Sequence, residues 1–443
     1  MLSATIQHAR FGFIGLEPGV RARHMWVLLY AAYVTIGLAT FDAFATPYVL
    51  STAIGIPTGE QGAIVGQLNV YTELVLLIAY TPLGVLADRI GRRAVYALGF
   101  VGLALGYALF PYAGTVTELA LVRVIYSIGL GAVTATIATL LADYAVVEHR
   151  GRLVGFVGVL NGLGVVSGAA LLGRLPKVFA DLGHDPFTAG QYTLFVVAGL
   201  CLVSACVVGL GLRPGTAVAP EQRPTVRELF RAGFGAAFGN PRIALAYASA
   251  FVARGDMVVV GTFLVLWGKV AAMEGGMTAA DALSAGRIPF IVAQSSALLW
   301  AIAAIFILDR FHRVTGLMVC LGIATTAYLG LALVEDPLDR ANLPFFVLLG
   351  VGQISAFLGS QTLIGKEAPA AHRGSVIGAF SLAGGIGILI ISGVGGQIFD
   401  QIGPRAPFIL VGLMNGLVFL AAIMVRLRAP EPRLQASLPV QTR

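Results

Sequence analysis

Charge is what this sequence has least of. Asp, Glu, Lys and Arg together make up 12% of the 443 residues, about half of the roughly 25% that a soluble domain carries. That excludes a water-soluble enzyme and a disordered chain. Cysteine is scarce as well: Cys201, Cys206 and Cys320 all lie in apolar runs, which rules out a secreted disulfide framework. The six histidines fall in tails and connecting segments, so no intramembrane histidine relay, metal centre or cofactor is expected. The three lysines, Lys177, Lys269 and Lys366, stand at the ends of apolar stretches, which argues against a retinal Schiff base. There is no P-loop, because Gly268–Lys269 runs into Val270 and Gly365–Lys366 into Glu367. A nucleotide-driven pump is therefore excluded, and a membrane-embedded enzyme lacks its His/Cys/Asp cluster.

What remains is apolar: 57% of residues by type, with a mean hydropathy of +0.86. A bilayer core needs about 20 apolar residues per helix. Eight charge-free stretches of that length occur, for example between Arg93 and Glu118, Arg152 and Arg174, and Arg373 and Asp400. Four more carry charge inside them. They are the first span with Asp42, the second with Glu73, the fourth with Arg123 and the seventh with Arg254 and Asp256. The expected fold is an all-α membrane protein of twelve spans.

With the N-terminus placed inside, inner segments hold 21 of the 29 basic residues and outer loops hold 6, among them Lys269 and Arg287. By the positive-inside rule both termini are cytoplasmic. The net charge of +7 is thus membrane-orienting, and no nucleic-acid partner is expected. The reading divides the chain into a cytoplasmic tail (1–24), a six-helix bundle (25–213), a cytoplasmic linker (214–241), a second six-helix bundle (242–427) and a tail (428–443). Phe11 to Leu16 is expected on the membrane surface, and Val226 to Arg231 has the basic amphipathic pattern of an interfacial helix.

The halves repeat. Asp88–Arg89–Ile90–Gly91–Arg92–Arg93 recurs as Asp309–Arg310–Phe311–His312–Arg313–Val314. His149–Arg150–Gly151 recurs as His372–Arg373–Gly374, a step of 223, and Tyr33 with Asp42 recurs as Tyr247 with Asp256, a step of 214. Two six-span halves in the same orientation form the parallel-repeat arrangement of transporters that rock about a midplane cavity.

The stretch Gly84–Val85–Leu86–Ala87–Asp88–Arg89–Ile90–Gly91–Arg92–Arg93 resembles the signature loop of the major facilitator superfamily, G-x-L-a-D-r-x-G-R-[RK]. The resemblance extends over the whole chain through the span count, the central linker and the repeat. It implies two bundles related by pseudo-two-fold symmetry. It also implies a cytoplasmic gate motif, Gly84, Asp88, Arg89, Gly91, Arg92 and Arg93, in which Gly84 allows packing against the eleventh span. The Asp and the arginines would latch the halves in the outward-facing state. A degenerate second copy falls on Asp309, Arg310 and Arg313. Two features depart from well-known subclasses. Arg123 is followed by Gly129 and Gly131 rather than by a glycine four residues on, and the fifth span has Gly158, Gly162, Gly164 and Gly168 but no proline. The pairs Gly151/Gly155, Gly158/Gly162, Gly164/Gly168 and Gly374/Gly378 are expected at tight helix contacts.

An ionisable side chain within a membrane span costs roughly 3 kcal/mol or more, so each is a functional candidate. At 1.5 Å per residue, Asp42 and Arg123 lie at similar depths, about 12 and 9 Å below the outer face. They are of opposite sign, and the family resemblance implies that the first and fourth spans adjoin beside the cavity, so they are expected to pair. Glu73, Arg254 and Asp256 lie about 18 to 21 Å from their nearer entry face, close to the midplane. Asp42, Glu73 and Asp256 are the candidate proton-coupling carboxylates, and Arg123 and Arg254 their partners or contacts for an anionic group. Asn69, Tyr126, Gln294, Gln353 and Gln361 are polar candidates for a cavity lining.

The expected protein is a monomeric, proton-coupled secondary transporter of a small organic solute, with a slight lean to efflux. The alternatives are proton symport of a metabolite or organic anion, and a facilitative uniporter or channel-like carrier. The preference for arginine over lysine suggests a GC-rich bacterial genome and a cell inner membrane. The expected partners are the solute, protons and lipid.

Overall fold

The structure is a computed structural model that describes residues 10–215, 235–308, 312–369 and 372–428. Among these residues, twelve helices are long and apolar enough to cross a membrane. They are α1 (Ala22–Ile54), α2 (Thr58–Ile90), α3 (Arg92–Tyr112), α4 (Val116–Tyr144), α5 (Val147–Asp181), α6 (Pro186–Gly211), α7 (Pro241–Glu274), α8 (Ala279–Ala304), α9 (Arg313–Leu333), α10 (Arg340–Glu367), α11 (Arg373–Gln401) and α12 (Ala406–Arg428). The shortest has 21 residues, which at 1.5 Å each is about 30 Å, one hydrocarbon thickness. Their starts are chemically marked. Thr115, Asp185 and Asn240 each accept a hydrogen bond from the first free amides of α4, α6 and α7, as N-caps do. The first helix of each half is irregular: α1 ends in a π-turn at Leu50–Ile54 after Pro47, and α7 has one at Val259–Phe263. A proline removes one backbone donor, and single π-turns often mark functional positions.

The packing has the symmetry that the repeat implies. In the first half α1 packs on α5, α3 on α4 and α6, and α2 on α4; in the second α7 packs on α11, α9 on α10 and α12, and α8 on α10. The halves meet along two seams, α2 against α11 and α5 against α8. Twelve spans put the start of α1 and the end of α12 on one face, called here the terminal face; the other is the far face.

The seams are close only toward the far face. Gly62 and Gly66 of α2 lie so near Gly396 and Ser392 of α11 that a β-carbon on either would overlap backbone. Toward the terminal face the same helices part. This corrects the expectation of glycine packing: Gly151, Gly155, Gly158, Gly374 and Gly378 have nothing within 4 Å of a β-carbon position, and neither has Gly84. Gly162 meets Leu298 of α8, and Gly164 and Gly168 lie against the backbone of Tyr33 and Gly37 in α1.

Two further corrections concern the ends. Phe11 to Leu16, expected on the membrane surface, packs in part on the protein itself. Strands β1 (Arg10–Phe11) and β2 (Ile14–Gly15) make a hairpin that docks on the α4–α5 connection, with Ile14 and Leu16 buried. The Gly15 amide donates to His149 Nδ1 at 2.7 Å, and the Val146 amide to the Gly15 carbonyl at 3.1 Å. Lys269 and Arg287, assigned to outer loops from the sequence, lie inside α7 and α8. Val226 to Arg231, most of the 214–241 linker, Asp309, Arg310 and residues 429–443 lie outside the described residues.

The glycine of the gate motif has a backbone reason. Gly91 turns the chain from α2 into α3 with φ +91° and ψ 144°, a region almost closed to residues with a β-carbon. Gly91→Ala is therefore expected to cost about 1–3 kcal/mol, measured as a lower thermal-unfolding temperature of the purified protein; an unchanged temperature would contradict this.

Candidate functional site

Depth, sign and the span adjacency implied by the family resemblance paired Asp42 with Arg123, and the structure brings them together. Arg123 is 2% exposed, and its Nη2 donates to Asp42 Oδ2 at 2.5 Å and to Asn69 Oδ1 at 2.8 Å. Its Nη1 donates to Thr46 Oγ1 at 2.7 Å and its Nε to Thr72 Oγ1 at 2.8 Å. Thr46 in turn donates to Asp42 Oδ1 at 3.0 Å. One guanidinium from α4 thus ties α1 and α2 together, and the fixed fork of arginine suits such a node. Thr46 and Thr72 were missed by sequence reasoning, because a lone threonine in a span carries no signal until its rotation is known. Asn69 also reaches the other half, where its Nδ2 donates to Thr262 Oγ1 of α7 at 3.3 Å. Tyr126 is buried and donates to the Ala39 carbonyl at 2.6 Å, which makes it a helix–helix contact.

Glu73 and Arg254 come from opposite halves and lie beside neighbouring glycines of α11. A β-carbon on Gly385 would lie 3.0 Å from Glu73 Oε1, and one on Gly384 would strike the Arg254 stem. The two side chains make no ion pair within 4 Å. The Arg254 guanidinium also stands 5.9 Å from the Phe357 ring centroid, within cation–π range.

Asp256 does not pair with Arg254, two residues away. It is 0% exposed, and neither carboxylate oxygen receives a hydrogen bond from a described residue. The repeat explains its surroundings. Tyr107, whose hydroxyl donates to the Leu38 carbonyl, recurs 221 residues on as Tyr328, whose hydroxyl donates to the Asp256 carbonyl at 3.4 Å. Gly129 packs on α3 as Gly352 packs on α9, a step of 223. The same step from Arg123 leads to Phe346, which is fully buried. The second half has kept the aspartate and replaced its arginine by a phenyl ring.

At the terminal face the motif residues make contacts within each half. Arg92 forms an ion pair with Asp143 of α4. Arg313 repeats this arrangement: its Nη1 donates to Glu367 Oε1 of α10 at 3.1 Å, and Arg242 lies 3.6 Å from the same oxygen. Asp88 and Arg92 line a cleft of about 340 Å³ with Asp143, Tyr144, Arg150 and Arg213.

The far face holds further links between the halves. Asp400 of α11 accepts from the Gly62 amide at 2.9 Å and the Ala63 amide at 2.7 Å, so one half supplies the cap for a helix of the other. Lys177 of α5 donates to Asp281 of α8 at 2.5 Å. Lys269 of α7 donates to the Pro47 carbonyl, to Ser51 Oγ and, at 3.2 Å, to Gln61 Oε1. The sequence did carry a signal for Lys269: apolar Val270 to Met273 continue past it, and the stop signal is Gly275–Gly276.

Residues 27–392, and again 343–442, match the profile of the Major Facilitator Superfamily. Magnetosome protein MamH of Paramagnetospirillum magneticum is 31% identical over 398 residues, which are 87% of this chain and 88% of that protein. Magnetosome protein MamZ of Magnetospirillum gryphiswaldense is 27% identical over 441 residues, 95% of this chain; the chain spans 65% of the length of MamZ. The crystal structure of nucleoside transporter NupG superimposes with a TM-score of 0.70 at 16% identity, over 91% of this chain and 99% of that one. At that identity the likeness speaks for the fold alone.

The Arg123 node makes a prediction about coupling. Breaking a buried pair by removing one partner costs about 3–5 kcal/mol, because the other charge stays buried. Asp42→Asn leaves Arg123 charged without its carboxylate, and Arg123→Leu leaves Asp42 without its arginine. Each should therefore lower the thermal-unfolding temperature of the purified protein, and the double variant should lose less than the two losses summed. Fully additive losses would contradict it.

Proposed function

Because this chain belongs to the Major Facilitator Superfamily, we propose that it is a secondary active transporter that carries a small organic solute by alternating access of its two halves, coupled to protons, with export the favoured direction. The observation that carries this reading is the asymmetry of the seams: they close at the far face, part toward the terminal face, and have Glu73 and Arg254 of opposite halves beside neighbouring glycines of α11 between. A carboxylate at the seam between the halves changes its surroundings whenever the halves move, and that is the requirement for taking up a proton on one side and giving it up on the other. Glu73 is accordingly the first coupling candidate. Asp42 is held within one half by Arg123 and Thr46. Asp256 lies inside the second half, away from the seam, and couples only if protonation alters the packing of α7 on α9. Arg254 favours a second reading, proton-driven symport of an organic anion that binds its guanidinium.

The positive-inside count supports a cytoplasmic terminal face, and the preference for arginine over lysine supports the cell inner membrane. Likeness to magnetosome proteins makes the magnetosome the alternative outcome of a membrane fractionation.

A thermal-shift screen on the purified protein identifies a solute, and proteoliposomes then test its transport. Glu73→Gln is expected to lose pH-gradient-driven accumulation by roughly tenfold or more while solute counterflow persists, since an amide cannot exchange the proton. Full uphill transport by Glu73→Gln removes Glu73 from the coupling step. Uphill transport retained by Asp42→Asn and Asp256→Asn as well removes carboxylate coupling altogether, and gradient-independent flux in the unmodified protein supports a uniporter.

A further inference from the structure

Lys269 stands out at the far-face seam. It is 0% exposed, and its ammonium crosses from α7 to α1 and α2. Its three acceptors, the Pro47 carbonyl, Ser51 Oγ and Gln61 Oε1, use all three N–H bonds of an ammonium, and none of them is charged. Among the described residues no carboxylate lies within ion-pairing distance of it. Lysine is a compact, strongly hydrated charge, and neutral acceptors return only part of the hydration lost on burial.

Two of the three acceptors have a donor besides Lys269. The Leu50 amide also donates to the Pro47 carbonyl, and Gln61 Nε2 donates to Ser51 Oγ and to the Ile56 carbonyl, both at 2.8 Å. The other two links differ in kind. Lys177 and Asp281 are a partly exposed ion pair, and Asp400 caps α2. Both gain from closure, whereas Lys269 loses water on closure and finds no opposite charge.

We propose that Lys269 is a spring rather than a latch: its buried, uncompensated charge opposes closure of the far face and keeps the closed state near enough in free energy to an open one for the seam to part. The proposal rests on alternating access as read above, and it assigns to one residue the resetting of the far-side gate. It makes a prediction that a latch does not. Removing the charge should tighten the seam, adding an opposite charge should also tighten it, and doing both should loosen it again, since what opposes closure is an unpaired buried charge of either sign.

The test uses the full chain in lipid nanodiscs, with Cys201, Cys206 and Cys320 replaced by alanine. Spin labels go on Leu182→Cys and Met277→Cys, exposed positions just beyond α5 and just before α8 at the far face. Double electron–electron resonance then gives the fractions of far-closed and far-open molecules. Lys269→Met and Ser51→Asp are each expected to lower the open-to-closed ratio by roughly tenfold, and Lys269→Met/Ser51→Asp to restore it to at least that of the unmodified protein. An open fraction that rises or stays the same in Lys269→Met overturns the spring. Should that variant not fold, Ser51→Asp alone decides: an unchanged or larger open fraction overturns the proposal. An unmodified protein with a single far-face distance under all conditions contradicts alternating access itself, and the spring with it.

Discussion

Everything in this molecule depends on how its two halves touch. Helices in lipid gain nothing from hiding apolar surface from one another, since the surrounding chains are as apolar as they are. Association rests instead on close backbone approach and on a few polar bonds. The far ends of the seams supply both: Gly62 and Gly66 let α2 and α11 meet backbone to backbone, and Asp400 and the Lys177–Asp281 pair bridge the halves. Toward the terminal face the glycines of α5 and α11 face open space. The two faces are thus in different states, and a small number of polar contacts decides which is closed.

The halves also differ from each other in an informative way. Both descend from one pattern, visible in the paired contacts of α1–α5 with α7–α11 and of Arg92–Asp143 with Arg313–Glu367. In the first half the aspartate has a four-bonded arginine and threonine partners, which fix helices α1, α2 and α4 to one another. In the second the corresponding arginine is Phe346, and Asp256 is left without a donor among the described residues. In the first half a charge pair ties three helices together. The charges at the seams are elsewhere: Glu73 and Arg254 beside α11, and Lys269 at the closed end.

Much of this was legible in the sequence, for identifiable reasons. Scarcity of charge makes each apolar run count as a span, and a repeat is visible wherever an exposed motif such as Asp88–Arg93 or His149–Gly151 is duplicated. The Asp42–Arg123 pair followed from depth and sign, because a helix converts residue number into height, together with the adjacency of the first and fourth spans that the family resemblance implies. Rotation about the helix axis was not legible. It separates Arg254 from Asp256, turns Tyr126 into a packing residue and points Gly84 and the terminal-side glycines into open space. Conformation was not legible either, since one sequence serves both ends of the transport cycle. The misplacement of Lys269 had a simpler cause: a charge was taken as the end of a span, although the helix runs on for another turn before Gly275.

The central claim is that solute passes only if the far-face seam opens. It is tested most directly by tethering the seam: Lys177→Cys and Asp281→Cys joined by a reductively cleavable bismaleimide in proteoliposomes, with counterflow of the screened solute as the readout. The account predicts that counterflow stops on tethering and returns when the tether is cleaved. Counterflow that continues with α5 and α8 joined at their far ends would contradict it.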